Sequence, residues 1–126
     1  MITISKTIKN NAPQNALFFS KCKKAVLGDE YELSLVFIAN KLSRKLNRTH
    51  RNIDKPTDIL SFPLDKKAGE IFINIPYSQK KCLSFDRKFD NYIRFLFIHG
   101  LFHLKGYEHS SRMESEEQKM RKKFNV

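Results

Sequence analysis

A chain of 126 residues allows one domain with a single core, and we predict that this domain spans residues 1–126. Its 24 Lys and Arg residues against 13 Asp and Glu give a net charge of +11, so nucleic acid is the first partner to consider. The alternative is that these charges only solvate the surface. No apolar run typical of a signal peptide opens the chain, and Arg94 with two histidines interrupts the most apolar stretch before it can span a bilayer, so we predict a cytoplasmic protein without a membrane segment. We also expect a monomer.

The first part of the chain alternates between strand and helix patterns. Apolar residues recur at every second position in the strand segments and at spacings of three and four in the helix segments. In order, the pattern predicts a strand near residues 2–8, a turn at 12–14, a helix around 18–27 ended by Gly28, a strand at 31–39 and a short helix capped by Asn40.

The second part of the chain predicts a hairpin followed by three helices. A polar loop at 47–57 leads into strands at 58–63 and 70–75, joined by a Lys-rich turn. The three helices are one from Pro76 to about Cys82, a long one from about Asp86 to Lys105, and a last one opened by a Ser111–Glu114 capping box with Glu116 and Glu117 nearby. The order βαβαββααα predicts an α/β (α+β) domain, in which a mixed sheet of about four strands packs with about five helices.

Three of the four histidines of the chain cluster at the end of the long helix. His99 and His103 are four residues apart, so their imidazoles lie one above the other on one helix face. Gly106 can take the left-handed conformation that ends a helix, which turns His109 back toward them. Three imidazoles leave the fourth position of a tetrahedral zinc open, as hydrolysis requires. We therefore predict one Zn²⁺ per chain on His99, His103 and His109, in preference to three core histidines with backbone partners.

The spacing H-x-x-x-H-x-x-G-x-x-H also occurs in metzincin proteases, which carry a Glu directly after the first histidine as the base. In this chain Gly100 takes that position, and the basic charge favours a polyanionic substrate over a peptide. Glu108, beside the third histidine, is a candidate for orienting an imidazole or moving a proton, although a solvent-facing loop carboxylate is the simpler interpretation. No general base is therefore evident.

Two long motifs carry a resemblance to a known family. The stretch HGLFHLKGYEH at 99–109 resembles the HGxLHLxGYDH signature of the YbeY family of bacterial metal-dependent endoribonucleases and rRNA maturation factors. Upstream, LNRTHRNIDKPTDILSFP at 46–63 resembles the family's LNxxYRxxDxPTDVLSFP, and GEIFIN at 69–74 resembles its GDIxI strand. The departures include Glu70 and Glu108 in place of Asp, and His50 in place of Tyr.

The resemblance implies a zinc-dependent endoribonuclease that prefers single-stranded RNA and acts in 16S rRNA 3′-end maturation and ribosome quality control on the small ribosomal subunit. It also implies that Arg51, which matches the arginine of the family's YR pair, binds RNA and is catalytic together with His99. A guanidinium can hold a phosphate in two places while charge builds in the transition state. Thr57, Asp58 and Ser61 are further candidates for lining the active-site cleft. The preferences of turns and strands explain these residue types equally well.

Two alternatives stay open at this point. The first is a non-catalytic rRNA-binding or ribosome assembly factor with a structural zinc, which the absence of an evident base favours. The second is a metal hydrolase of peptides or small molecules, which the missing Glu and the charge of +11 both disfavour. The metal itself is also open, because three imidazoles accept nickel, cobalt or copper as well as zinc.

Overall fold

A computed structural model describes residues 1–9, 12–13 and 15–126, so Gln14 of the predicted turn lies outside the described residues. The elements are β1 (Ile2–Lys6), α1 (Ala16–Leu27), β2 (Glu32–Ile38), α2 (Asn40–Arg51), β3 (Ile59–Asp65), β4 (Ala68–Asn74), α3 (Ile75–Lys81), a 3-10 helix (Cys82–Phe85), α4 (Phe89–Leu104) and α5 (Ser111–Lys123). Within these ranges, no helix combines the length and hydropathy needed to cross a bilayer.

The strands form one mixed sheet in the order β1-β2-β4-β3. β1 pairs parallel with β2, and β2 pairs parallel with β4. Parallel neighbours need a crossover connection, which α1 supplies for the first pair and the segment containing α2 supplies for the second. β3 and β4 pair antiparallel across a short turn, as predicted. In the part of the chain that the structure describes, the predicted α/β class with a four-stranded mixed sheet and five α-helices is confirmed.

Helix α4 is the central element of the core. It packs against β3, β4, α1 and α5, and it is buried on almost every side, as its apolar sequence predicts. Its fully buried Phe97 meets the ring of Phe19 from α1 edge to face, with centroids 4.8 Å apart. The two histidines at its C-terminal end are therefore anchored on a rigid scaffold.

Gly100 of α4 faces side chains of strands β3 and β4. A Cβ atom at this position would come within 2.9 Å of both Ile59 Cδ1 and Ser61 Oγ. Such contacts are shorter than real Cβ atoms show, so a larger residue would force the side-chain ends of Ile59 and Ser61 to move. The position that carries the catalytic Glu in metzincins thus faces the sheet in this chain, which explains why no carboxylate is found there.

Helix α2 extends over residues 47–51, which the sequence predicted as the start of a polar loop. Asn47 is buried, and its Nδ2 donates a hydrogen bond to the Lys55 carbonyl at 2.8 Å. The helix ends where Asn52 takes a left-handed conformation with φ 57°. The loop prediction is wrong because the polar side chains of a solvated helix end resemble those of a loop. Arg51 is consequently the last residue of a helix.

Two other helix starts also differ from the prediction. The N-cap of α2 is Ala39, and the Asn40 side chain instead accepts a hydrogen bond from Asn74 Nδ2 at 2.9 Å. The long helix begins at Phe89, because Asp86 takes a left-handed conformation with φ 51° and ends the 3-10 helix before it. The first error arises because Asn40 bonds to a residue that is distant in sequence. The second arises because the backbone at Asp86 is left-handed and not helical.

The predicted Ser111–Glu114 capping box does not form, because α5 begins one position earlier. Ser110 is the N-cap, and its side chain accepts a hydrogen bond from the Met113 backbone N–H at 3.2 Å. Glu114 instead accepts a hydrogen bond from Arg121 at 3.1 Å. The acidic first turn and basic last turn of α5 match the helix dipole as predicted.

Candidate metal centre

Three imidazoles converge at the C-terminal end of α4. The Nε2 atoms of His99 and His103, one turn apart, are separated by 2.9 Å. Gly106 has φ 103°, a left-handed conformation that reverses the chain after α4, and His109 returns to the two other rings. The ring centroid of His109 lies 4.6 Å from that of His103 and 5.3 Å from that of His99. One nitrogen of each ring lies within 4.8 Å of the others.

The spacing of these nitrogens fits a single metal ion. Zinc–nitrogen bonds of about 2.0–2.1 Å in a tetrahedral site place the nitrogens about 3.3 Å apart, which lies between the observed 2.9 Å for His99 and His103 and the 4.8 Å that bounds all three. Burial lowers the pKa of His103, and the neighbouring His99 and His109 rings lower it further. A lowered pKa favours the neutral imidazole, which is the ligand form. His99, His103 and His109 can therefore hold a metal ion.

A buried carboxylate fixes the orientation of His99. Glu117 of α5 is only 3% exposed, and its Oε1 lies 2.8 Å from His99 Nδ1. A carboxylate oxygen accepts hydrogen bonds, so Nδ1 of His99 carries the ring proton and is the donor of this bond. The lone pair of Nε2 is then directed at His103 and the cluster. Glu108, the candidate from the sequence, is exposed and bonds to none of the three rings in the described part of the chain.

Glu117 was missed as an orienting residue, although the sequence carries a signal for it. Met113, Glu117 and Met120 recur at spacings of four and three, so the carboxylate lies on the apolar face of α5. A carboxylate on an apolar face needs a buried partner. The spacing of acids at the start of α5 predicts only a dipole role for Glu117.

We expect Glu117→Gln to weaken metal binding about 10- to 100-fold, because the amide retains the shape of the side chain but not the charge that makes His99 a stronger ligand. The affinity is measured by competition with a chromophoric chelator. Glu116→Gln is the matched control, since Glu116 is the neighbouring residue and pairs with Lys119 on the surface at 3.4 Å. Equal metal affinities for both variants and the parent would contradict the orienting role of Glu117.

A cleft of about 700 Å³ opens beside the histidines, between the end of α2 and strand β3. Arg51, Thr57, Asp58 and Ser61, all named from the sequence, line this cleft together with the three histidines. The rings of His50 and Phe62 also line it, with centroids 4.6 Å apart. The structure thus brings the two sequence motifs to one cavity.

Asp58 is held in the cleft wall by two hydroxyl groups. The buried Tyr92 hydroxyl donates to Asp58 Oδ2 at 2.7 Å, and the Thr57 hydroxyl donates to Oδ1 at 3.3 Å. Burial, together with the bond to Asp58, raises the pKa of Tyr92, so the phenol stays protonated and keeps donating. Asp58 therefore presents a fixed negative group to the cleft.

Arg51 is the last residue of α2, and its side chain is exposed. Among the described residues it forms no ion pair and no hydrogen bond, although it lines the cleft. An arginine has five N–H donors in a planar fork that matches the oxygens of a phosphate. The cleft therefore combines a site for a metal ion with an unengaged donor for an anionic ligand.

Comparison with known proteins relates the chain to one family. A family profile described as "Endoribonuclease YbeY" matches residues 3–125. A protein named Endoribonuclease YbeY from Alkaliphilus metalliredigens is 38% identical over 108 residues, which cover 77% of this chain and 68% of that protein. A Helicobacter pylori protein of the same name is 36% identical over 117 residues, covering 89% and 84%. A solution structure of a Thermotoga maritima protein has the same fold, with a TM-score of 0.67 at 24% identity, covering 98% of this chain and 89% of that one.

Proposed function

Because the chain belongs to the YbeY endoribonuclease family, we propose that it is a metal-dependent hydrolase that cleaves single-stranded RNA. The observation that carries the proposal is the convergence of three imidazoles in the wall of a cleft that also holds an unengaged arginine. The metal in this proposal is one zinc ion per chain on His99, His103 and His109, since three imidazoles and an open fourth position suit the tetrahedral preference of zinc.

The residues of the chain have distinct roles in the proposed reaction. When bound, the zinc ion supplies Lewis-acid chemistry that activates water or polarises a phosphoryl oxygen. Glu117 keeps His99 in the tautomer whose Nε2 faces the cluster. Arg51 donates two N–H bonds to the oxygens of the scissile phosphate, where negative charge increases in the transition state. Arg51 and His99 are the catalytic residues of this proposal, and Arg51 also binds the RNA.

The aromatic rings of the cleft support a preference for single-stranded RNA. An unpaired base can stack on an aromatic ring, whereas the bases of a duplex are already stacked on each other. The neighbouring rings of His50 and Phe62 offer such a surface beside Arg51. The net charge of +11 adds affinity for the phosphate backbone whatever the sequence.

The biological setting of the proposal comes from the family resemblance. The proposed substrate is the 3′ end of 16S rRNA in the small ribosomal subunit, with a further role in ribosome quality control. The proposed active form is a cytoplasmic monomer whose single catalytic domain spans residues 1–126. The charge of the chain is compatible with a ribosomal substrate, because rRNA is a dense polyanion.

The proposal is tested with untagged protein, since a histidine tag would bind metal itself. We expect zinc-loaded protein to cleave a labelled single strand and to leave the same strand intact in a duplex. The Michaelis constant should rise steeply as salt increases from about 50 to 200 mM, with a log-log slope near 0.7 for each phosphate contacted. Equal cleavage of duplex and single strand would overturn the single-strand preference. No cleavage with saturating zinc would overturn the enzymatic proposal and favour an assembly factor.

A further inference from the structure

A second groove of about 830 Å³ runs along α2, and none of its described lining residues also lines the histidine cleft. It lies at the carboxyl ends of the three parallel strands, because the residues that directly follow β1, β2 and β4 all line it. These residues are Thr7, Ala39 and Ile75. In open α/β sheets this edge is where ligands bind. The groove is therefore a candidate binding site in its own right.

The charges around this groove are almost all positive. Five cations line it and, among the described lining residues, no acid does. The cations are Lys9, Lys41, Arg44, Lys45 and Arg48. Asp54 neutralises part of this charge, since it accepts two hydrogen bonds from Arg44 at 2.8 and 3.0 Å and lies 3.9 Å from Arg48. Lys41 and Lys45 are exposed and form no ion pair with any described residue. The groove thus suits a polyanion.

One face of α2 connects the groove to the histidine cleft. Lys41, Arg44, Arg48 and Arg51 recur at spacings of three, four and three, which places them on one side of the helix. The first three line the groove, and Arg51 lines the cleft. From Lys41 to Arg51 the helix rises about 15 Å. That distance corresponds to about four to five nucleotides of a strand that rises about 3.4 Å per nucleotide.

The remaining lining residues indicate which part of a nucleic acid would fit. Most are small or aliphatic, as in Ala39, Leu42 and Pro76, and the described lining contains no aromatic ring. Without a ring to stack on, bases gain little here, whereas phosphates meet lysine and arginine side chains. Recognition in the groove would consequently be independent of sequence.

We propose that this groove is a second RNA site, which holds the backbone of the single strand about four to five nucleotides from the scissile bond while the basic face of α2 leads the strand into the cleft. The inference rests on the proposed function, whose substrate it extends. An acidic protein segment would meet the same charges, but the unbroken row of cations that ends at Arg51 in the histidine cleft favours RNA.

The test compares Lys41→Ala/Lys45→Ala with a control of equal charge, Lys21→Ala/Lys66→Ala, whose lysines are exposed and line neither cavity. Zinc-loaded proteins are titrated at 4 °C with labelled RNAs of about 12 and about 4 nucleotides by fluorescence anisotropy, with probe integrity checked on a gel. For the groove variant we expect the preference for the longer RNA to fall on the order of tenfold and the salt slope to fall by about 1.4, for two lost phosphate contacts. The control should keep both values.

The outcomes separate this inference from the proposed function. If the parent cleaves RNA but the groove variant keeps the full length preference and salt slope, the inference is wrong, the enzyme stands, and an acidic protein becomes the better occupant of the groove. If both double variants lose the same affinity, only general charge is involved and the inference is also wrong. If the parent binds the longer RNA through these lysines without cleaving it, the groove is supported and the proposed enzymatic function fails.

Discussion

His103→Ala is expected to abolish cleavage of single-stranded RNA and to remove the bound metal. The variant loses one of three ligand nitrogens, and the two that remain, on His99 and His109, come from rings whose centroids are 5.3 Å apart. A two-ligand site holds zinc far more weakly than a three-ligand site, because the missing bond is not replaced by the protein. Cleavage rates and metal content per chain, both measured on untagged protein, give the result.

The same variant should melt at a lower temperature only when metal is present. Binding of a ligand at 100 times its Kd stabilises the folded state by about 2.7 kcal/mol. For a chain of this size that corresponds to a shift in Tm on the order of 10 °C. With a chelator present, the parent loses this contribution and should approach the variant. An equally large difference in Tm with and without metal would mean that His103 acts through packing and not as a ligand.

Arg51→Ala is expected to lower kcat about 10²- to 10³-fold while metal content and Tm stay near parental values. Removing one preorganised donor from a developing negative charge has this size of effect in other enzymes. Stability should change by less than about 0.5 kcal/mol, since Arg51 is exposed and makes no ion pair or hydrogen bond with the residues described. Steady-state kinetics, elemental analysis and thermal melting report the three quantities.

Arg51→Lys serves as the conservative variant, because it keeps the charge but loses the two-point contact. We expect its kcat to lie between those of Arg51→Ala and the parent. Lys66→Ala, which removes an exposed cation that lines neither cavity, should cleave like the parent. If Arg51→Ala and His103→Ala both cleave at the parental rate, the activity belongs to a contaminating nuclease, and the rRNA-binding assembly factor becomes the better account.

The parts of the site that the sequence predicts correctly depend on local geometry. His99 and His103 share a face because they are four apart on a helix, and Gly106 reverses the chain because glycine tolerates its positive φ. The pairing of β3 with β4 follows from their alternating patterns and from the short turn between them. Each of these features depends on residues that lie within about ten positions of one another. The sequence pattern is therefore sufficient to predict them.

The parts that the sequence misses depend on contacts between distant segments. Glu117 reaches His99 from another helix, 18 positions along the chain. The apolar face of α5 indicates that this carboxylate needs a buried partner, but not that the partner is His99. The close approach of Gly100 to Ser61 is likewise visible only once β3 lies against α4. The helical character of residues 47–51 was hidden because their polar side chains face solvent or, as in Asn47, bond to a loop.

The central claim, that RNA cleavage depends on one metal ion held by the three histidines, is tested most directly by titrating chelator-treated protein with zinc while following cleavage. We predict that the rate rises in proportion to added zinc and levels off at one equivalent per chain, and that His103→Ala shows no rise over the same range. Full cleavage by the metal-stripped protein in the continued presence of the chelator would contradict the account.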